Sequence, residues 1–220
     1  MLLGHFMNSL VDMEFLVSSI ILLAYFSLGL ELLFAHVPSI ASNKAIWKAS
    51  PKVVNAYPSA YQWIFKLPKL SKVFLFLLPL GLLYGVFLMP IMIILGWAPW
   101  LALNTAISIY LQIIGIVLIV LGRIITLVSV RNMIRNRDKS GEQGLVKKQG
   151  AFGYSRNPIQ VGMYMFLIGV SLSLVSFWLF LGVIYYVGYM HFKIKMEEQY
   201  LSKQYGEKYL EYMRYTRRYL

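Results

Sequence analysis

The chain has 220 residues, of which 59% are apolar and only 14% are charged. Soluble domains carry charge on about a quarter of their residues, and several apolar runs here approach the roughly 20 residues that suggest a bilayer span. The formal net charge is +12 and the chain contains no cysteine, which excludes disulfides and cysteine-based catalytic or metal sites. The composition predicts an integral membrane protein whose basic residues contact anionic lipid, with no nucleic-acid partner.

The first three apolar runs predict transmembrane helices at 13–35, at 73–95 and from 101 to about 130. The second contains Gly81 and Gly85, a G-x-x-x-G spacing that indicates close helix packing. Glu31 and Arg123 fall at the same predicted depth in the first and third helices. Because a charge inside a span needs a partner, we predict that they form an ion pair.

The apolar stretch 159–190 is too long for one upright span and short for two. Polar and bulky residues mark its midpoint, including Ser173, Ser176 and Trp178. We therefore predict a tight hairpin of two short or tilted helices, which brings the total to five spans. The charged, tyrosine-rich tail follows from 191 to 220, and recurring Tyr205, Tyr209 and Tyr212 indicate an amphipathic helix that anchors at the interface.

Charge fixes the predicted orientation. The lysines and arginines fall in the loop 36–72, the end of helix three, the polar loop 131–155 with the adjacent Arg156, or the tail. With five spans these segments share one side, so the N-terminus lies outside and the C-terminus in the cytosol. We divide the chain into an N-terminal transmembrane region, 1–130, with a basic interfacial loop at 36–72, and a catalytic region, 131–220.

The catalytic region is centred on a polar segment, 150–160, that precedes the fourth span. Asn157 and Pro158 suit a helix start, Asn as the capping residue and Pro in the first helical position. The positive end of that helix can bind a carboxylate or phosphate. A second polar cluster begins at Glu197, and we predict that the two clusters face each other in one site. Taken alone, these residues are also compatible with an ordinary interfacial loop.

These motifs resemble those of the isoprenylcysteine carboxyl methyltransferase and phospholipid methyltransferase superfamily. The ordered set comprises Gly150-Ala-Phe152, Arg156-Asn157-Pro158, an apolar hairpin, Glu197-Glu198-x-x-Leu201 and Tyr205-Gly206-x-x-Tyr209-x-x-Tyr212. The resemblance covers residue 145 to the end of the sequence. It implies a membrane-embedded methyltransferase with S-adenosylmethionine as cofactor.

The resemblance also implies which residues bind the cofactor. They are Gly150, Phe152, Asn157, Pro158, Ile159, Gln160 and Glu197. Arg156, His191, Lys193 and Glu198 are candidate substrate contacts, and no metal is implied. Methyl transfer from a sulfonium depends mainly on positioning, so we assign no catalytic acid, base or nucleophile.

Two positions depart from the family pattern. Gln160 replaces a tyrosine, and Phe192 stands where carboxyl methyltransferases have a substrate-binding arginine. The acceptor therefore stays open between a carboxylate and an amine on a lipophilic molecule or lipid. The predicted active site lies on the cytosolic face.

Two other functions remain open at the level of sequence. A membrane reductase resembling steroid 5-alpha-reductases also has a terminal hairpin and a tyrosine-rich tail, but binds NADPH. A non-enzymatic scaffold or transporter is the third alternative. It is disfavoured because the polar residues cluster at the predicted membrane face and not along a midplane path.

Overall fold

The structure, a computed structural model, describes residues 2–34, 66–101, 108–140 and 150–220. Within these ranges it is all-helical, as predicted, and its β contact is an isolated bridge between Ser155 and Arg217. The helices are α1 (Leu2–Phe34), α2 (Lys69–Ile94), α3 (Ser108–Ser140), α4 (Ala151–Tyr154), α5 (Pro158–Ser173), α6 (Phe177–Tyr205) and α7 (Glu207–Tyr215), with a 3-10 helix at Pro99–Leu101.

Three of these helices contain segments long and apolar enough to cross a membrane. The segments are Met13–Glu31 in α1, Ile109–Arg135 in α3 and Phe177–Lys203 in α6. Shorter apolar segments occupy α2 and α5, so the count of five spans and the orientation stay predictions. Most of the predicted basic loop 36–72 lies outside the described residues, as does 141–149.

Two helices continue beyond the apolar runs that define them. The polar loop predicted from residue 131 was wrong in its first part, because α3 remains helical to Ser140. Residues 131–140 contain neither glycine nor proline, and the first glycine is Gly141, so nothing local stops the helix. In the same way α6 runs into the predicted tail and ends only before Gly206, whose φ of +57° suits glycine.

The tightest helix packing joins α3 to α5. A Cβ built at Gly122 would lie 2.6 Å from the carbonyl oxygen of Gly162, and one at Gly169 would lie 2.6 Å from that of Gly115. As the residue number rises along one helix, it falls along the other, so the two helices run antiparallel. The glycines recur seven residues apart on both helices, which lets the backbones touch at two successive levels.

The predicted packing role of Gly81 and Gly85 was wrong. Among the described residues, a Cβ built at either position would have no neighbour within 4 Å. Both lie on α2, which contributes Leu83 and Val86 to the core instead. The core otherwise joins α1, α3, α5 and α6 around the fully buried Phe166.

Gly122→Ala is therefore expected to destabilise the protein, although alanine is the better helix former. Overpacking of this kind costs about 1–3 kcal/mol. Gly188→Ala is the matched control, since a Cβ there meets nothing within 4 Å in the part of the chain that the structure describes. Thermal unfolding in detergent should show a lower Tm for Gly122→Ala than for the native protein and no decrease in Tm for the control. Equal Tm values for the two variants would contradict the packing account.

The predicted ion pair between Glu31 and Arg123 is confirmed. The Nη2 atom of Arg123 lies 2.7 Å from Oε2 of Glu31, and both side chains are at most 10% exposed. Nε of Arg123 also donates to the Ser27 hydroxyl at 3.1 Å. The pair ties α1 to α3 and neutralises two charges that lie within apolar helices.

Removing either charge alone should destabilise the fold, by about 3–5 kcal/mol, because it leaves the other charge buried without a partner. The exchange Glu31→Arg with Arg123→Glu should recover much of the stability lost in each single variant. Thermal unfolding of the two single variants and the double variant measures this coupling. Simple additivity of the two losses would rule out a direct interaction.

Candidate functional site

The polar segment before α5 folds into a short helix followed by three non-helical residues, 155–157. Gly150 has a φ of +67°, which favours glycine, and α4 follows it directly. Ser155 is extended and buried. Asn157 is the residue before α5 and Pro158 occupies its first turn, as predicted.

The predicted capping role of the Asn157 side chain was wrong. The Asn157 side chain makes no capping hydrogen bond to the first turn of α5; instead, its amide nitrogen donates to the carbonyl oxygen of Arg218 at 3.1 Å. Tertiary contact with the C-terminal segment has drawn the side chain away from its own helix. The first turn of α5, at the positive end of a 16-residue helix, therefore receives no cap from Asn157, and no other side-chain acceptor is seen within the described residues.

Residues 216–219, which we call the C-terminal segment, lie alongside residues 155–157. The backbone N–H of Arg156 donates to the carbonyl oxygen of Arg217 at 2.8 Å. The Ser155 hydroxyl donates to that of Arg218 at 3.3 Å. These bonds attach the end of the described chain to the start of α5.

Glu198 is the charged centre of this contact. Its Oε1 accepts from Nε of Arg156 at 3.0 Å, with Nη2 of the same guanidinium at 2.9 Å. Its Oε2 accepts from Nε and Nη2 of Arg218 at 2.9 and 2.7 Å. One buried carboxylate from α6 thus links the start of α5 to the C-terminal segment, and the two polar clusters meet as predicted.

The remaining donors of Arg156 are also engaged. Its Nη1 donates to the carbonyl oxygens of Met213 and Thr216, at 3.0 and 3.1 Å. The Arg156 side chain is only 8% exposed. The Arg156 guanidinium therefore joins α5, α6 and the end of α7. At the other arginine of the network, hydrogen bonding to Glu198 raises the pKa of Arg218.

The tail tyrosines differ from the prediction of a single interfacial face. Gly206 separates Tyr205 on α6 from Tyr209 and Tyr212 on α7, and the latter two are buried. The Tyr212 hydroxyl donates to the carbonyl oxygen of Phe152 at 2.8 Å. Burial raises the pKa of Tyr212 to about 12, against the opposing charge of Arg156, so this donor stays protonated at neutral pH.

A further group of polar and aromatic side chains lies between α5, α6 and the C-terminal segment. Nδ1 of His191 lies 2.8 Å from the Tyr219 hydroxyl, and the Tyr219 ring packs 5.9 Å from that of Tyr164. The Tyr186 hydroxyl donates to Oε1 of Gln160 at 3.2 Å. This arrangement joins two predicted site residues, His191 and Gln160, to aromatic side chains.

The predicted site residues occupy different environments. Glu197 is exposed on α6, whereas Glu198, one residue later, is 5% exposed. Lys193, Ile159 and Asn157 are half-buried, and Phe152 and Pro158 are buried. Sequence reasoning assigned the basic residues as a group to anionic lipid and overlooked Tyr219. Neither Arg218 nor Tyr219 belongs to a periodic pattern that would indicate its partner.

Residues 110–208 match the family model described as phospholipid methyltransferase. The match confirms the resemblance to the superfamily and starts within α3, well before the segment that carried the motifs. It includes the start of α5 and Glu198, but ends before the C-terminal segment. Together with the apolar helices, it indicates a membrane methyltransferase.

No curated protein and no solved structure matches the chain in the corresponding comparisons.

Glu198→Gln should release the C-terminal segment, because it removes the charge shared by two arginines. Breaking a buried ion pair costs about 3–5 kcal/mol, so trypsin should cleave after Arg217 or Arg218 at least tenfold faster. Glu197→Gln is the matched control, an adjacent acid that is exposed. Equal cleavage rates for both variants and the native protein would show that Glu198 does not hold the segment.

Proposed function

We propose that the protein is an integral membrane methyltransferase that uses S-adenosylmethionine. Its acceptor is a carboxylate or an amine on a lipophilic molecule, either isoprenylcysteine-like or phospholipid-like. The observation that carries the proposal is the junction of the start of α5 with Glu198, because it assembles the motif residues of the matched segment at one place.

The donor groups at this junction suit the methionine part of the cofactor. The first turn of α5, which Asn157 does not cap, offers the backbone N–H groups of Ile159 and Gln160 to a carboxylate. The exposed Glu197 offers a carboxylate to an ammonium group or to ribose hydroxyls. Gly150 permits close approach of the cofactor to the backbone. The buried Phe152 packs beside the site.

The bound cofactor would supply an electrophilic methyl group on a sulfonium. The protein's part is to orient the two reactants and to exclude water, which is the main requirement of such a displacement. The Glu198 contacts hold α5, α6 and the C-terminal segment in fixed positions around the site. His191, Lys193 and Arg156 stay candidates for the acceptor side, although Arg156 already binds Glu198 with its guanidinium.

The topology belongs to the same proposal. Five spans, with α2 and α5 as the short ones and α5 and α6 as the terminal hairpin, place the N-terminus outside and the site on the cytosolic face. The arginines of α3 beyond its apolar part and those of the C-terminal segment would then share one side.

Isothermal titration of the purified protein distinguishes the methyltransferase from the reductase. S-adenosylhomocysteine, the product of the cofactor, is expected to bind, and NADPH is not. Binding of NADPH alone would contradict the proposal and favour a reductase.

Glu197→Ala is expected to weaken S-adenosylhomocysteine binding by roughly tenfold, the value of one charge-assisted hydrogen bond. Asn157→Ala should also weaken it, because the residue positions the first turn of α5. Glu207→Ala is a matched control with an exposed acid on α7. Unchanged affinity in both site variants, with Tm values confirming that they fold, would remove the site assignment.

A further inference from the structure

A groove of about 560 Å³ lies along the C-terminal segment. Arg156 borders it at one side, and Met213–Leu220 provide the other lining residues. Four of the lining side chains are arginines and none is acidic. Arg156 and Tyr219 of the candidate site line the groove, whereas the first turn of α5 and Glu197 do not.

The four arginines of the groove divide into two pairs that differ in their contacts. Arg156 and Arg218 are bound to Glu198, as described above. Arg214 and Arg217 are exposed and form no salt bridge within the described residues. Since Glu198 neutralises only one of the four charges, the groove keeps a formal excess of positive charge, and two guanidinium groups remain available.

The surroundings of the groove combine this charge with exposed apolar surface. Tyr215 is 74% exposed and Leu220 is 75% exposed, and both line it. Arg156 lies two residues before the apolar helix α5. The groove therefore lies next to the N-terminal end of that helix. Aromatic and aliphatic residues beside arginines are typical of a membrane surface that meets lipid headgroups.

We propose that this groove binds the phosphate group of an anionic membrane lipid. Arg214 and Arg217 donate to the phosphate oxygens, for which the planar guanidinium is well suited. Tyr215 and Leu220 contact the glycerol and the upper acyl chain. The site does not depend on methyl transfer, and it gives the C-terminal segment a second attachment, to the bilayer, besides its attachment to Glu198.

Native mass spectrometry of the full chain in neutral detergent tests this inference by counting bound lipid. Phosphatidylglycerol should bind more tightly than zwitterionic phosphatidylcholine. Because each basic residue at a membrane surface contributes about 1 kcal/mol, Arg214→Gln with Arg217→Gln should lower the phosphatidylglycerol affinity by roughly tenfold or more. Arg214→Lys with Arg217→Lys, which keeps the charge, should lose less.

Arg131→Gln with Arg135→Gln is the matched control, since both arginines are exposed on α3 and the change in charge is the same. It should leave the affinity within twofold of the native value. Equal losses in the control, or no preference for phosphatidylglycerol, would overturn the inference. Glycerol 3-phosphate binding as tightly as the lipid would also overturn it, by showing a site for soluble phosphate. If the glutamine variant does not fold, the lysine variant and the control decide the test. The inference is overturned if the lysine variant keeps full phosphatidylglycerol affinity while the control loses affinity.

NADPH serves as a further probe, because its 2′-phosphate has the same chemistry. NADPH binding that disappears in the Arg214 and Arg217 variant would overturn the lipid assignment and identify a nucleotide site. Failure of S-adenosylhomocysteine to bind, with selective phosphatidylglycerol binding retained, would contradict the proposed function alone. The two proposals can therefore fail separately.

Discussion

The buried carboxylate of Glu198 is the interaction on which the candidate site depends. It accepts hydrogen bonds from Arg156 and Arg218 and thereby joins three segments that are far apart in the sequence. A buried ion pair does not necessarily stabilise a fold more than apolar packing does, but the loss of one partner is costly. The charge network therefore matters chiefly because it fixes one arrangement of α5, α6 and the C-terminal segment.

The helices beneath the site provide a rigid support for this junction. Contact between the backbones at the glycines of α3 and α5 sets the position of α5, whose first turn opens into the site. Glu31 and Arg123 hold α1 against α3 from the other side. These two contacts fix α1, α3 and α5 relative to one another.

Sequence reasoning was most successful where a physical requirement had few solutions. A charged residue in an apolar helix needs a partner, and only Glu31 lay at the depth of Arg123. The start of α5 followed from the local chemistry of Asn157 and Pro158, and the order of the motifs indicated the resemblance that the match over 110–208 confirms. In each case the residues themselves carried the information.

It failed where the answer depended on tertiary contacts. Adjacent glutamates lie on different sides of a helix, and only packing decides that Glu198 is buried while Glu197 is exposed. The C-terminal segment is extended and follows no period, so its contact with residues 155–157 left no signal. The close glycines of α3 and α5 do share a seven-residue spacing, but Gly81 and Gly85 matched a better-known motif.

Hydrogen exchange of the full chain with and without S-adenosylhomocysteine tests the central claim most directly. The claim is that the uncapped first turn of α5 and the neighbouring Glu197 form the cofactor site. Added S-adenosylhomocysteine should slow exchange at residues 150–160 and around Glu197, while the helix α2 stays unchanged. No protection at these residues, or protection confined to another part of the chain, would contradict the account.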